Sequence, residues 1–171
     1  KFPRYKEYKA LFYRILLAYF FYMIARILFY SYNSGLIKID GIWEFISLSF
    51  HGLAFDTTTI LYTNALFIVF SIIPVLKNTN KGYQKFLFYL YFATNLLMYA
   101  TNFIDFIYYR YTFSRSTRAS LDTLENESNK GLLLWNFLTN YWHVFLLFFV
   151  ASYIWIKLYK SYKIHTVHEK S

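Results

Sequence analysis

His51 and Asp56 form an H-x4-D pair, a spacing in which a carboxylate can orient a histidine base for acyl transfer to a hydroxyl acceptor. No E-G-T phosphate-binding motif follows to complete that arrangement. His165 and His168, an i, i+3 pair in a basic tail, offer a metal two imidazoles without two further ligands nearby, and read as an ordinary solvated tail. Arg110, Arg115 and Arg118 cluster just past an apolar run, where planar guanidinium groups can hold a phosphate by two-point contact. Inside the apolar runs, Asn136, Asn140 and His143 fall at i, i+4 and i+7, and Asn95, Asn102 and Asp105 at i, i+7 and i+10. Each set shares one helix face. Arg26 and Asn64 lie in two further runs, with Asp56 at the mouth of one of them. Polar groups in a membrane span are costly and turn toward other helices or a cavity. Two readings follow: a polar pocket for a lipid headgroup or substrate, or hydrogen bonds between helices at roughly 1 kcal/mol or less per contact. Asp105 and Arg26 fit the pocket; Asn64 and Asn95 fit packing. Arg26 is expected to snorkel to the surface or to pair with Asp105.

Other chemistries are missing from the sequence. It holds no Gly-rich phosphate loop, no G-x-S-x-G elbow, no H-E-x-x-H and no clustered trio of metal-binding carboxylates. With no Cys there is no disulfide framework, thiolate metal site or cysteine nucleophile. Nothing in these residues alone assembles a catalytic centre or a cofactor site.

The elements that position these residues are apolar and long. Of 171 residues, 57% are hydrophobic, 25% aromatic and only 16% charged, too much apolar mass for the interior of a soluble domain this size. The mean hydropathy of +0.28 understates this, because Tyr scores as polar yet suits a bilayer interface. A span needs about 20 mostly apolar residues to cross ~30 Å of hydrocarbon. Four segments qualify: about Ala10 to Tyr32, Thr57 to Leu76, Phe86 to Tyr109 and Leu132 to Leu158. The fold expected is therefore all-α, a single polytopic membrane domain over residues 1–171 with four transmembrane helices. In the first external loop, Ile42, Trp43, Ile46, Phe50 and Leu53 recur at roughly helical spacing, which predicts an interfacial helix lying flat before the second span.

Charge sorts by side. The two termini, the flank up to Arg14, and the loop with Lys77, Lys81 and Lys85 carry twelve bases against Glu7 and Glu169, a net +10. The remaining segments carry six bases against seven acids, among them Glu44, Asp56 and Asp105, a net −1. Basic flanks collect at the cytoplasmic face, so both termini are expected there, with two longer loops outside. The formal charge of +9 then reflects topology and attraction to anionic lipid, not nucleic-acid binding, which needs a soluble basic face.

The order of pieces resembles a known family. A basic start and first span, HGLAFD (His51 to Asp56) at the mouth of the second span, a short basic loop, then NFIDFIYYRYTFSRSTRASL (Asn102 to Leu121): together these look like the N-terminal membrane domain of the lipoteichoic-acid synthases. Those enzymes are phosphoglycerol transferases of the sulfatase and alkaline-phosphatase superfamily. The resemblance runs from about Ala10 to Leu158 and rests on G-L-x-x-D (Gly52, Leu53, Asp56) and N-x-x-D-x-x-Y-Y (Asn102, Asp105, Tyr108, Tyr109) with its trailing Arg115.

It implies a bacterial cytoplasmic-membrane protein with a fifth span and a large extracytoplasmic domain. That domain would hold the Thr nucleophile and a divalent metal (Mn or Mg), both outside these residues. It also implies anionic phospholipid and the protein's own C-terminal domain as partners, with no nucleic acid. Arg26, His51, Asp56, Asp105, Arg110, Arg115, Arg118, Asn140 and His143 are then the residues expected to contact substrate lipid or to dock the catalytic domain. Two other classes compete: a non-enzymatic scaffold or small lipid or solute transporter subunit, and an acyltransferase with His51 as base. Against the transporter, Gly is scarce, Pro74 is terminal and the polar groups sit toward the outer side.

Overall fold

A computed structural model describes residues 4–37, 41–73, 80–112, 131, 135 and 138–162. Four long helices dominate these residues: α1 (Arg4–Tyr32), α2 (Ile42–Ile72), α3 (Lys81–Thr112) and α4 (Trp142–Ser161). No strand occurs among the described residues.

Side-chain contacts fix the topology. Phe67 of α2 packs on Tyr91 of α3, and Tyr83 of α3 hydrogen-bonds the Phe70 carbonyl, so α2 and α3 are antiparallel. Tyr13 reaches the Leu158 carbonyl and Tyr32 reaches His143, so α1 and α4 are antiparallel too. Arg14 meets Gln84 while Phe29 meets Phe106, so α1 and α3 run the same way at the centre. The other two helices flank this pair, α2 on one side and α4 on the other.

Each helix buries a stripe at helical spacing. On α1 the buried stripe includes Ala10, Leu17, Ala18, Phe21, Tyr22, Ala25 and Phe29, its alanines letting neighbours approach closely. On α4 it is Val144, Ser152, Trp155 and Tyr159. Trp155 is wholly buried, stacks on Phe21 at 4.7 Å, and donates from Nε1 to the Tyr91 hydroxyl at 3.1 Å. That hydroxyl in turn donates to the Arg14 carbonyl at 2.8 Å, so one polar chain ties α4, α3 and α1 inside an aromatic core.

Three of the helices are long and apolar enough to cross a membrane: α1 from Tyr5, α2 and α4. At 32 residues α3 is as long, but Gln84, Asn95, Asn102, Asp105 and its many tyrosines lower its hydropathy. Like α1, it packs against all three other helices, where interhelical partners make polar groups tolerable.

Several boundaries differ from expectation. The predicted interfacial segment is helical, yet no turn separates it from the second span: α2 is one unbroken helix of 31 residues. At 1.5 Å per residue this is ~46 Å, about 16 Å more than a hydrocarbon core. The helix ends at Ile72, and Ile73 adopts extended backbone (φ −61°, ψ 121°), the conformation imposed on a residue before proline. Within the expected fourth span, Tyr141 leaves helical geometry at φ −119°, ψ 23°, so α4 starts at Trp142 and the helical residues 138–140 lie before the break; Leu132, the expected start, falls outside the described residues. Lys81 and Asp105 stand 24 residues apart along α3, or ~36 Å, and so lie toward opposite ends of the bundle.

Candidate functional site

The acidic end of the bundle is built around Arg26. Ser49, Gly52 and Asp56 fall at i, i+3 and i+7 on α2, one face of the helix, and that face meets the guanidinium. Nη2 donates to Asp56 Oδ1 at 2.7 Å, and Nη1 donates to the Ser49 carbonyl at 3.3 Å. Both partners are enclosed, Arg26 at 8% and Asp56 at 14% exposure. Gly52 makes this possible, because a Cβ at that position would coincide with the guanidinium. Arg26 therefore neither snorkels nor pairs with Asp105. Its ion pair is with the aspartate of the neighbouring antiparallel helix.

His51 belongs to a different face. Five residues separate it from Asp56, a rotation of about 140° around the helix. Its Nδ1 lies 2.8 Å from the Ser47 carbonyl, and the ring is exposed. An Asp56 carboxylate committed to Arg26 and turned away from the imidazole is not the orienting partner that an acyltransferase base needs.

At the same end, the close of α1 meets the start of α4. The Tyr32 hydroxyl lies 3.0 Å from His143 Nε2, and Tyr32 stacks on Phe106. Asn33, wholly buried, donates to the carbonyls of Phe29 and Phe106, at 3.1 and 3.5 Å. Asn140 is exposed and stands on the far side of the Tyr141 break from His143, so the two do not form the continuous stripe expected of them. Asp105 is half-buried on α3. Arg110 lies in the last turn of α3, while Arg115 and Arg118, like Asn136, His165 and His168, fall outside the described residues.

Deeper in the bundle, Asn64 and Asn95 are wholly buried and form a reciprocal amide pair. Asn64 Nδ2 donates to Asn95 Oδ1 at 3.0 Å, and Asn95 Nδ2 donates to Asn64 Oδ1 at 2.7 Å. Each amide also donates to the carbonyl four residues earlier, Ile60 and Tyr91 respectively. These two asparagines hold helices together, as expected. Sequence reasoning misses Ser49 and Gly52 as partners of Arg26, although their spacing to Asp56 is visible. It also places Arg14 with the surface flank, whereas Arg14 is buried at 6% exposure.

Among the described residues no group of three or more His, Asp or Glu side chains could hold a metal ion. Arg26 and Asp56 pair with one another and tie α1 to α2 at this end. Among the described residues the chain is all-helical, with three helices long and apolar enough to cross a membrane and two ends that differ in charge. Compared with protein families, with curated proteins and with solved structures, the chain finds no match.

Proposed function

We propose that the chain is the membrane-anchoring, lipid-facing domain of an envelope enzyme resembling the lipoteichoic-acid synthases, which transfers a phosphoglycerol-type headgroup outside a bacterial cytoplasmic membrane. In this reading all four helices cross the bilayer with the termini inside. The acidic end faces outward and presents an anionic donor lipid to a catalytic domain outside these residues, which supplies the nucleophile and the divalent metal. The observation that carries the reading is the fate of the G-L-x-x-D motif. Gly52 and Asp56, one turn apart, converge on one buried guanidinium, so two residues of that motif act as a unit. The excess length of α2 beyond a hydrocarbon core, with Trp43 80% exposed in its first turn, suits a helix that rises through the headgroup layer.

The test is made in the full-length protein that carries this domain. Asp56→Ala, Asp105→Ala and Arg115→Ala are introduced separately, membrane insertion is verified, and release of the headgroup from phosphatidylglycerol is followed. Loss of turnover in inserted variants supports the reading. Undiminished turnover in all three removes it, and leaves a scaffold or transporter subunit in front.

A further inference from the structure

The end of the bundle opposite Arg26 and Asp56 is basic, and its charge is spread unevenly around the helices. Four lysines there each lie over an aromatic ring. Lys9 of α1 stands 4.5 Å from the Tyr5 ring centroid, and Lys85 of α3 stands 5.9 Å from that of Tyr89. On α4, Lys157 lies 4.8 Å from the Tyr153 centroid, and Lys160 crosses to α3 to lie 5.0 Å from that of Phe88. All four lysines are exposed. A ring face attracts an ammonium without neutralising it. Among the described residues none of the four is in an ion pair. Glu7, an acid at this end, is two residues from Lys9 and so about 200° away around α1.

Contacts with α4 gather these cations onto one flank. Lys9 and Tyr13 share a face of α1 at i, i+4, and Tyr13 reaches the Leu158 carbonyl and stacks on Tyr162. Lys85 and Phe88 share a face of α3 at i, i+3, and Phe88 carries Lys160 and meets Tyr159 edge to face. At 1.5 Å per residue, the four lysines lie within about 6 Å of this common level. The opposite flank is α2, whose 31 residues include neither Lys nor Arg and whose last turns, Phe67 to Ile72, are apolar apart from Ser71. It stands beyond the α1 and α3 pair, more than one interhelical spacing of ~8–10 Å from α4. Attraction between exposed charges fades over ~8 Å at physiological salt, so lipid beside α2 is largely outside the reach of these lysines.

We infer that the α4 flank of the basic end is a docking surface for anionic phospholipid, so that the bundle collects such lipid beside α4 and not beside α2. The partner is a leaflet surface and not one enclosed anion, so the ammonium groups act side by side with no need to converge. Tyr5, Tyr89 and Tyr153, each more than half exposed, suit the headgroup depth at which the lysines would meet lipid phosphates. The inference requires only that the helices lie in a bilayer, and it is independent of the envelope chemistry proposed for the other end.

Because the chain has no Cys, Ile154→Cys on α4 or Val69→Cys on α2, both exposed apolar positions, can carry a single fluorophore. The labelled chain is reconstituted in phosphatidylcholine vesicles with phosphatidylglycerol or phosphatidylcholine bearing a nitroxide on an acyl chain, and quenching reports each lipid's relative affinity for the two positions. At Ile154→Cys phosphatidylglycerol should be preferred about fivefold, the scale of one lysine's attraction to an anionic leaflet. At Val69→Cys the two lipids should quench nearly equally. Lys85→Gln, Lys157→Gln and Lys160→Gln together should reduce the α4 preference to less than about twofold. Salt at about 1 M, where the Debye length is ~3 Å, should do the same. Equal quenching by the two lipids at α4, the same phosphatidylglycerol preference at both positions, or a preference that survives the triple substitution overturns the inference. If the triple variant does not insert, the comparison of the two positions in the parent chain decides by itself.

Discussion

Replacing Gly52 by Ala should destabilise the protein although alanine is the better helix former. Two effects oppose each other. Ala in place of Gly within a helix gains about 1 kcal/mol. Against this, the new Cβ occupies the space of the Arg26 guanidinium and drives it from Asp56 and from the Ser49 carbonyl. Removing one partner of a buried ion pair costs about 3–5 kcal/mol, and displacing the guanidinium approaches that figure. The net expectation is a loss of about 2–4 kcal/mol. The decisive comparison is a background in which the pair is already absent, Arg26→Met with Asp56→Leu. There the obstruction is gone, only helix propensity remains, and Gly52→Ala should stabilise by up to about 1 kcal/mol. The sign of one substitution therefore reverses between two backgrounds. Reversible unfolding in mixed micelles, followed by far-UV circular dichroism, measures both differences. An equal loss in the two backgrounds, or a gain in the parent, refutes the reasoning that Gly52 exists to admit Arg26.

Other outcomes follow from the same geometry. Asn64→Leu should cost about 1–2 kcal/mol by leaving the Asn95 amide short of a buried partner, and adding Asn95→Leu should cost less than the sum of the two single changes, as a double-mutant cycle would read. Trp155→Phe removes both the hydrogen bond to Tyr91 and some of the stacked ring area; it should lower stability by about 2–3 kcal/mol in the same unfolding assay. Since the chain contains no Cys, single cysteines in place of Trp43 and Lys81, both exposed, can be labelled with an impermeant maleimide in sealed cells. Only one of the two should react, and labelling of both from the same side would dismantle the sided reading of the charges.

Much of this architecture is legible because helix length and charge are written locally. The four helices and the separation of Lys81 from Asp105 follow from continuous runs of residues, whereas α2 ends at Ile72, ahead of Pro74, and not at the expected Leu76. The Asn64 and Asn95 pair is legible in kind, since a buried amide needs an amide or carbonyl partner. What a single sequence does not carry is the rotation of one helix against another. Arg26 has two carboxylates within reach of a plausible packing, and only the placement of α1 beside the Ser49, Gly52 and Asp56 face chooses Asp56. Arg14 illustrates the same point at the other end: following Arg4, Lys6 and Lys9 in a series of bases, it reads as flank until α3 and α4 close over it. Gly52 sits mid-helix for the room it gives a neighbour, a reason that only the neighbour reveals. The Tyr141 break leaves no comparable mark in composition.

The reciprocal amides of Asn64 and Asn95 have a mechanical consequence. A slide of α2 along α3 by one turn, ~5.4 Å, would pull the paired amides away from each other where no water is at hand to replace either. With Arg26 fastening α1 to α2 through both Asp56 and the Ser49 carbonyl, the first three helices are keyed in register as one block. The fourth helix is held lengthwise as well, by Trp155 on the Tyr91 hydroxyl, Tyr13 on the Leu158 carbonyl and Tyr32 beside His143, so a shift of α4 would strand polar groups near both of its ends and at its middle.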